Sequence, residues 1–241
     1  MDLFSVKNVL QKNNLNVSDH QLHLLDKYVS LLLDWNKKIN LISRRDINNI
    51  WIRHIIGSLS IFFKYRFKTN SSIADAGTGG GLPGIPVAIM SPDSHVTLID
   101  SIRKKIGAVE NIISELSLNN VTAVNARIEN LSDNKSYSGK FDYIVARAVA
   151  PLADIIKWSS KLLIKDINRK SLIKINDDKH YISPGSIICW KGGEVSDEIL
   201  KAQFLFKDWR IETHSIIVDG LQPDALYDKK FIIAQKGKIN E

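Results

Sequence analysis

The chain has 241 residues, 44% of them hydrophobic and 24% charged, which is typical of a soluble globular protein with one well-buried core. No apolar run reaches the roughly 18 residues that a membrane span needs, and residues 1–10 lack the pattern of a secretory signal, so we expect no membrane partner and a cytoplasmic location. The formal net charge is +7, and the single cysteine, Cys189, leaves no internal disulfide and no multi-cysteine zinc site, so we expect no metal.

The basic residues are clustered along the chain. Basic chains tend to bind polyanions, but a generally basic, solvated surface explains the net charge equally well. The clustering favours a nucleic acid as the partner. The clusters are Lys37, Lys38, Arg44, Arg45 and Arg53; Lys64, Arg66 and Lys68; and Arg103, Lys104 and Lys105.

The N-terminal region carries helical signals. Ser18 and Gln21 have the spacing of a capping box, and the apolar residues after them recur at helical intervals. A second helix is predicted after residues 43–46. We therefore predict an N-terminal helical cap over residues 1–68. The apolar positions are Leu22, Leu25, Val29 and Leu32 in the first helix, and Ile47, Ile50, Trp51, His54, Ile55 and Leu59 in the second.

From Ser72 onward, short apolar runs alternate with helical segments. This alternation predicts an α/β fold with a mostly parallel, seven-stranded sheet, whose last two strands pair antiparallel. Residues 69–241 are predicted to form one compact domain, in which the polar stretch 165–184 is a surface insertion. The strands are expected near residues 73–74, 95–99, 121–124, 141–146, 187–190, 211–218 and 231–235, and helices over 103–118 and 152–164.

A glycine-rich loop, Asp75-Ala76-Gly77-Thr78-Gly79-Gly80-Gly81, follows the first of these strands. An acid two residues before a G-x-G-x-G loop suits S-adenosylmethionine. The glycines let the backbone approach a ligand closely, and the carboxylate of Asp75 can help to hold its cationic amino-acid end. Two alternatives stay open: a nicotinamide-dependent oxidoreductase that uses Gly79, Gly81 and Gly84 as a dinucleotide fingerprint, and a purely structural turn.

Three further positions follow predicted strands, at the edge where ligands bind in open α/β sheets. Asp100 has the spacing of a carboxylate that binds ribose hydroxyls, although an Asp also caps helices well. A loop at Ile128 and Glu129 is expected beside the adenine, where Glu129 is alternatively a solvated charge. Arg147 is an unusual charge at a strand end unless it contacts a ligand or a partner.

Two absences bear on the chemistry. The fourth strand is followed by Ala146-Arg147-Ala148-Val149, without the Asn/Asp-Pro-Pro-aromatic segment that many enzymes methylating exocyclic amines carry. No cysteine stands in a loop to attack a pyrimidine carbon, because Cys189 falls within an apolar strand. We therefore expect a methyl acceptor that needs neither covalent nor base catalysis, and no catalytic residue.

The sequence resembles the 16S rRNA (guanine-N7) methyltransferase family RsmG, also called the glucose-inhibited division protein B family. The Gly-Leu-Pro-Gly-Ile-Pro tail of the glycine loop separates this family from most methyltransferases. The matching segments are Trp35-Asn36-Lys37-Lys38-Ile39-Asn40-Leu41, Arg53-His54-Ile55, Asp75 to Pro86, Leu98-Ile99-Asp100-Ser101, Lys104-Lys105, Arg127-Ile128-Glu129, Phe141-Asp142, Ala146-Arg147-Ala148 and Lys191-Gly192.

The resemblance implies a Rossmann-like class I methyltransferase fold, with S-adenosylmethionine as cofactor and 16S rRNA or the small ribosomal subunit as partner. The implied reaction is methylation of N7 of one guanine in the decoding-region loop. The resemblance also assigns cofactor contacts to Gly77, Leu82, Ile128, Glu129 and Arg147. A non-enzymatic RNA-binding module with the same fold is a further alternative.

The chain departs from the family pattern at three places. Gly57 stands where the family usually has Asp, which puts a local contact near the cap in doubt. The helix after Lys105 reads Ile-Gly-Ala-Val where a bulkier Phe-Leu pair is usual. The polar stretch 165–184 is longer than the family's connection.

Overall fold

The computed structural model describes residues 1–164 and 180–237. The helical and strand segments alternate after an all-helical start, as the sequence predicts. In chain order the elements are α1 (Leu3–Lys12), α2 (Asp19–Asn36), an irregular helical segment over 44–63 that contains α3 (Gly57–Leu59), β1 (Tyr65–Arg66), β2 (Ser72–Ala76), α4 (Gly84–Met90), β3 (His95–Asp100), α5 (Arg103–Leu116), β4 (Val121–Asn125), α6 (Ile128–Leu131), β5 (Tyr143–Arg147), α7 (Leu152–Ser159), β6 (His180–Tyr181), β7 (Ser186–Gly192), α8 (Ser196–Leu205), β8 (Trp209–Ser215) and β9 (Lys229–Lys236).

Seven strands form the main sheet in the order β4-β3-β2-β5-β7-β9-β8. The first five are parallel to one another, β9 is antiparallel to β7, and β8 is antiparallel to β9. The predicted seven-stranded, mostly parallel sheet with an antiparallel final pair is therefore confirmed. The chain runs outward from β2 to β4 and returns on the other side of β2 as β5, so the strand order reverses between β2 and β5. In open α/β sheets, ligands bind at such a point.

The cap packs on one face of this sheet. Leu25, Tyr28 and Leu32 of α2 are fully buried, at spacings that place them on one side of a helix. They belong to the same buried cluster as Val96 and Leu98 of β3. The cap and the sheet thus share one hydrophobic core, and the division at residue 68 stays an interpretation of the sequence.

The capping box is confirmed in its geometry. The backbone N–H of Gln21 donates to Oγ of Ser18 (3.2 Å), and the backbone N–H of Ser18 donates to Oε1 of Gln21 (3.0 Å). The second predicted helix is also present, but its turns change from 3₁₀ over Arg44–Asn49 to π over Trp51–Ile56 and back to 3₁₀ over Ser60–Phe63. A wide π turn of this kind is frequent at functional sites.

Two element boundaries were predicted wrongly. The strand expected at 141–146 begins at Tyr143, because Phe141 pairs instead with the segment after α7. The backbone N–H of Phe141 donates to the carbonyl of Leu162 (3.0 Å), and that of Ile164 donates to the carbonyl of Phe141 (2.9 Å). The helix expected to reach residue 164 therefore ends at Ser159. This long-range pairing takes up the backbone groups that a longer helix would use.

The remaining differences concern short elements. The sequence did not predict α1, α4, α6 and α8, nor the small parallel pair formed by β1 and β6. Most of the predicted insertion, residues 165–179, lies outside the described residues. Within the described ranges, no helix is long and apolar enough to span a membrane.

Candidate functional site

Asp75, on β2, is hydrogen-bonded to the glycine loop from the interior of the protein. Oδ2 of this carboxylate accepts hydrogen bonds from the hydroxyl of Thr78 (2.6 Å) and from the backbone N–H of Gly84 (2.9 Å). The side chain is fully buried, and Oδ1 accepts no hydrogen bond from any described residue. Burial raises the pKa of Asp75 to about 7, against the opposing effect of these two hydrogen bonds. Asp75 thus stabilises the loop, and its predicted role at the ligand's cationic end stays a prediction.

Three glycines of the loop, Gly77, Gly79 and Gly81, have positive φ values that other residues rarely adopt. Gly77 has φ +69°, and a Cβ there would lie 2.6 Å from Cγ2 of Val149, in the segment after β5. Gly79 has φ +57°, but a Cβ there would meet nothing within 4 Å. Gly77 therefore permits close packing of two loops, whereas Gly79 borders open space.

Asp100 joins the end of β3 to the same loop. Its Oδ2 accepts a hydrogen bond from the backbone N–H of Gly79 (3.0 Å), and Oδ1 accepts one from the backbone N–H of Ile102 (2.9 Å). The helix cap of α5 is Ile102 and not Asp100. The alternative that Asp100 is simply a helix cap is therefore wrong, and the predicted ribose contact remains a prediction.

The cap contacts the glycine loop on the side opposite the sheet. The hydroxyl of Tyr28 donates to the carbonyl of Gly80 (3.0 Å). A Cβ on Gly80 would lie 2.7 Å from Cδ1 of Leu32 and 3.1 Å from Cβ of Leu41. The loop is thus packed between the sheet and α2, which explains why a glycine stands at position 80.

Arg147, at the end of β5, binds the irregular helical segment of the cap. Nη1 donates to Oγ of Ser58 and to the carbonyl of His54 (both 3.2 Å), and Nη2 donates to the carbonyl of Arg53 (2.9 Å) and to Nδ1 of His54 (2.6 Å). On the next strand, the indole N–H of Trp190 donates to the carbonyl of Gly57 (2.9 Å). The unusual charge at position 147 is therefore explained, at least in part, by contact with the cap.

Between the cap and these strand ends lies a cleft of about 540 Å³. It is situated where the strand order reverses, between the loop after β2 and the end of β5. The lining is contributed by both the cap and the sheet edge. The lining residues are Leu41, Ile42, Ser43, Asp46, Arg53, His54, Gly57, Gly77, Thr78, Gly79, Gly80, Leu82, Lys105, Arg147, Ala148, Trp190, Lys191, Gly192, Ile216, Leu226 and Lys229.

The predicted cofactor residues divide into three groups around this cleft. Gly77, Leu82 and Arg147 line it, while Asp75 and Asp100 lie behind the glycine loop and hold it in place. The last two, Ile128 and Glu129, follow β4 and are not part of the lining. They begin the single-turn helix α6 rather than the expected loop, with Ile128 buried and Glu129 3.6 Å from the guanidinium of Arg127.

Sequence reasoning did not predict cleft positions for Asp46, Trp190 or Lys229. Trp190 and its neighbour Lys191 lie at the carboxyl end of β7, so the strand predicted at 187–190 contained a signal for them. Lys191 is anchored by Nζ contacts with Oε1 of Glu198 (2.5 Å) and with the carbonyl of Ala150 (2.6 Å). Across residues 1–164 and 180–237 no cluster of three or more His, Cys, Asp or Glu side chains is arranged to hold a metal ion.

Comparison with known proteins gives concordant results. The model of the family described as rRNA small subunit methyltransferase G matches residues 21–184. A ribosomal RNA small subunit methyltransferase G from Christiangramia forsetii is 37% identical over 216 residues, which cover 90% of each chain. The protein of that name from Bacteroides fragilis is 42% identical over 170 residues, covering 70% of this chain and 74% of the relative.

Among solved structures, the fibrillarin/Nop5p complex contains a similar fold. The match has a TM-score of 0.55 at 13% sequence identity and covers 77% of this chain and 82% of the other. At this level of identity the likeness concerns the fold alone.

Proposed function

Since the chain belongs to the rRNA small subunit methyltransferase G family, we propose that it transfers a methyl group from S-adenosylmethionine to N7 of one guanine in the decoding-region loop of 16S rRNA. The observation that supports this most directly is the cleft between the glycine loop and the cap. One wall carries the loop that suits the cofactor, and the other is formed by the cap, whose exposed basic residues Lys37, Lys38, Arg44 and Arg45 lie outside the lining. We therefore place the methyl donor at the glycine-loop wall of the cleft and the RNA base at the cap wall. A ribosomal substrate implies a cytoplasmic location.

The residues of the sheet edge fit the cofactor. The open space beside Gly79 allows a ligand to approach the backbone of the loop, and Leu82 adds an apolar surface in the lining. We propose that Gly77, Leu82 and Arg147 contact the cofactor, that Asp75 and Asp100 keep the loop in its binding shape, and that Ile128 and Glu129 lie at its adenine end.

The proposed reaction requires alignment more than acid–base chemistry. S-adenosylmethionine supplies a methyl group on a positively charged sulfur. The lone pair of guanine N7 forms a bond to that carbon while the carbon–sulfur bond breaks and its electrons remain on sulfur. N7 carries no proton at neutral pH, so no base is needed. The contribution of the chain is to hold N7, carbon and sulfur in line, and proximity of this kind supplies roughly 7–11 kcal/mol.

The cap offers a surface for the RNA backbone. Lys37, Lys38, Arg44 and Arg45 are all exposed. Lys37 forms an ion pair with Asp34 (2.8 Å), and Nζ of Lys38 lies 4.8 Å from the ring centroid of Trp35. Both contacts leave donors free for phosphate oxygens, since an ammonium has three. We propose that these four residues bind phosphates beside the cleft.

The oxidoreductase alternative is not supported by the packing of its glycines. A Cβ on Gly81 would lie 2.4 Å from Cδ1 of Ile85, and one on Gly84 would lie 2.2 Å from Cδ2 of Leu98. Both positions therefore face the protein interior rather than a ligand.

The alternative of a non-enzymatic RNA-binding module predicts RNA binding without methyl transfer, and activity measurements distinguish it from an enzyme.

The test is to incubate the pure protein with labelled S-adenosylmethionine and small ribosomal subunits that lack 7-methylguanine, and then to map modified guanines. We expect one methyl group per particle, at N7 of one guanine. Calorimetric titration with S-adenosylhomocysteine and, separately, with NADH provides the control, and only the first should bind. Binding of RNA without methylation, or methylation at another atom, would contradict the proposal.

A further inference from the structure

Asp46 is the only carboxylate among the described residues that line the cleft. Its side chain is 20% exposed and belongs to the cap side. The other ionisable side chains in the lining are five cations and the neutral His54. The cationic residues are Arg53, Lys105, Arg147, Lys191 and Lys229. A single carboxylate among five cations provides a strong hydrogen-bond acceptor at one defined place in the cleft.

One neighbouring side chain is hydrogen-bonded to this carboxylate, and a second lies close to it. Nη1 of Arg53 donates to Oδ1 of Asp46 (3.1 Å). Arg147 can only donate, so its 2.6 Å contact with Nδ1 of His54 makes that nitrogen an acceptor and leaves the hydrogen of the neutral ring on Nε2. Nε2 is buried, has no hydrogen bond to any described residue, and lies 3.6 Å from Oδ2 of Asp46. A polar chain thus extends from the end of β5 through His54 to Asp46.

His54 is suited to this role because it remains uncharged. Burial, together with the nearby charge of Arg147, lowers the pKa of His54 to about 4. A neutral imidazole that accepts from Arg147 on one side presents its N–H close to the carboxylate on the other, without adding a positive charge beside it. The carboxylate has two oxygens with about four acceptor sites, so it can accept further hydrogen bonds from a ligand in the cleft.

We propose that Asp46 recognises the target base by accepting hydrogen bonds from N1–H and from the N2 amino group of guanine. This inference rests on the proposed function and specifies how its base is selected. Of the edges of guanine, only this one presents two adjacent donors, and a carboxylate accepts such a pair in a bidentate manner. Adenine presents an acceptor at the corresponding ring nitrogen, which a carboxylate repels.

The same contact orients the base for reaction. N7 lies on the opposite side of the purine from N1 and the N2 amino group. A guanine held at Asp46, on the cap side, therefore directs N7 away from the cap, toward the glycine-loop side of the cleft. The negative charge of Asp46 also favours the positive charge that the base acquires as the methyl group arrives, so this interaction is stronger in the transition state than in the ground state.

The test combines one protein change with one base change. Asp46→Asn keeps the size of the side chain but replaces an acceptor oxygen by an N–H₂ donor. The particles are small subunits reconstituted with 16S rRNA that carries guanine or inosine at the methylated position, since inosine lacks only the N2 amino group. For the wild-type protein we expect kcat/KM to be about 10-fold higher with guanine than with inosine, because inosine lacks one of the two hydrogen bonds of the bidentate pair.

In Asp46→Asn we expect kcat/KM with guanine to fall about 10- to 100-fold and the preference for guanine over inosine to disappear, with unchanged affinity for S-adenosylhomocysteine. Asp93→Asn is the matched control, because Asp93 is an exposed acid before β3, at the opposite edge of the sheet. That variant should keep both the rate and the preference. If Asp46→Asn retains the wild-type preference, Asp46 does not contact the amino group and the inference is wrong, although the proposed function stands. If the wild-type protein does not methylate guanine in these particles, both fail together.

Discussion

The hydroxyl of Tyr28, on the cap helix α2, donates a hydrogen bond of 3.0 Å to the carbonyl of Gly80 in the glycine loop. The side chain of Tyr28 is fully buried, and burial raises its pKa well above the ordinary value, so the hydroxyl stays protonated and remains a donor. The loop that faces the proposed cofactor is therefore supported by the same cap that carries the proposed RNA-binding surface.

Removal of this hydroxyl should weaken both stability and cofactor binding. Tyr28→Phe leaves a buried carbonyl without its partner, which costs about 1–3 kcal/mol. We expect the free energy of unfolding in urea to fall by that amount, and the affinity for S-adenosylhomocysteine in calorimetry to fall with it. Tyr227→Phe is the control, because Tyr227 is 85% exposed and should change neither quantity. Equal stabilities of Tyr28→Phe and the wild-type protein would show that this hydrogen bond contributes nothing.

Gly77→Val should abolish cofactor binding without global unfolding. A branched side chain at φ +69° is strained, and its Cβ would overlap Val149, so the loop has to move. Calorimetric titration with S-adenosylmethionine measures the loss, and a cooperative urea transition verifies the fold. Gly107→Ala, at an exposed helix position with open space, serves as control. Normal affinity in a folded Gly77→Val protein would contradict the proposed site.

The basic cap should account for part of the salt dependence of RNA binding. Replacement of Lys37, Lys38, Arg44 and Arg45 by Gln removes up to four phosphate contacts, each of which contributes about 0.7–0.9 to the slope of log K against log salt. We expect weaker RNA binding and a shallower slope, with unchanged affinity for S-adenosylhomocysteine.

The control for this variant changes the same number of charges elsewhere. Lys135, Lys157, Lys201 and Lys207 are exposed and lie outside the cap. Their replacement by Gln should leave most of the slope intact. If the two quadruple variants lose the same amount, the cap is no more than a solvated basic surface.

The rate of methyl transfer should not depend on a titrating base. In single turnovers at saturating cofactor, we expect rates that are nearly flat from about pH 6.5 to 8.5, the range in which a tuned general base shows itself. His54 has its pKa lowered to about 4, so it is neutral throughout, and His54→Gln should leave the shape of the profile unchanged. Replacement of Asp100 by Asn, or of Glu129 by Gln, should change chiefly the affinity for the cofactor. If the rate of methyl transfer rises tenfold per pH unit, and one of these substitutions removes that rise, a general base is required.

The pH dependence of stability should reveal the buried carboxyl of Asp75. Its pKa is raised in the folded protein from 3.8 to about 7, so the folded state binds the proton more tightly than the unfolded state. The resulting stabilisation is complete below about pH 4 and is lost as the pH rises to about 7. Asp75→Asn does not ionise, and we expect its stability relative to the wild-type protein to increase from pH 4 to pH 8. Urea unfolding at both pH values measures this difference, and a constant difference would contradict the raised pKa.

Much of the fold was predictable because it depends on local patterns. The capping box at Ser18 and Gln21, the alternation of strands and helices, and the antiparallel final pair all follow from periodicity within short windows. The positions of Gly77 and Arg147 at the carboxyl edge of the sheet followed from the same alternation. Elements with weak or short patterns, such as α6 and the pair of β1 and β6, escaped prediction.

The contacts of the site were not predictable in the same way. Arg147 binds backbone and side-chain groups of Arg53, His54 and Ser58, about ninety positions earlier in the chain. Such contacts depend on how the cap lies over the sheet edge, which no local pattern encodes. The burial of Asp75 likewise results from packing of the glycine loop between β2 and α2.

The position of β9 has a consequence for the order in which the chain can fold. β9 is the last strand of the described part of the chain, yet it lies between β7 and β8 and pairs with both. While the chain is being synthesised, β8 has no neighbour in the sheet until residues 229–236 have left the ribosome, and Lys229 is still missing from the cleft. The lining of the cleft is therefore completed only after residues 229–236 have been synthesised. A chain that stops before residue 229 would expose β7 as an open edge, a known route to aggregation.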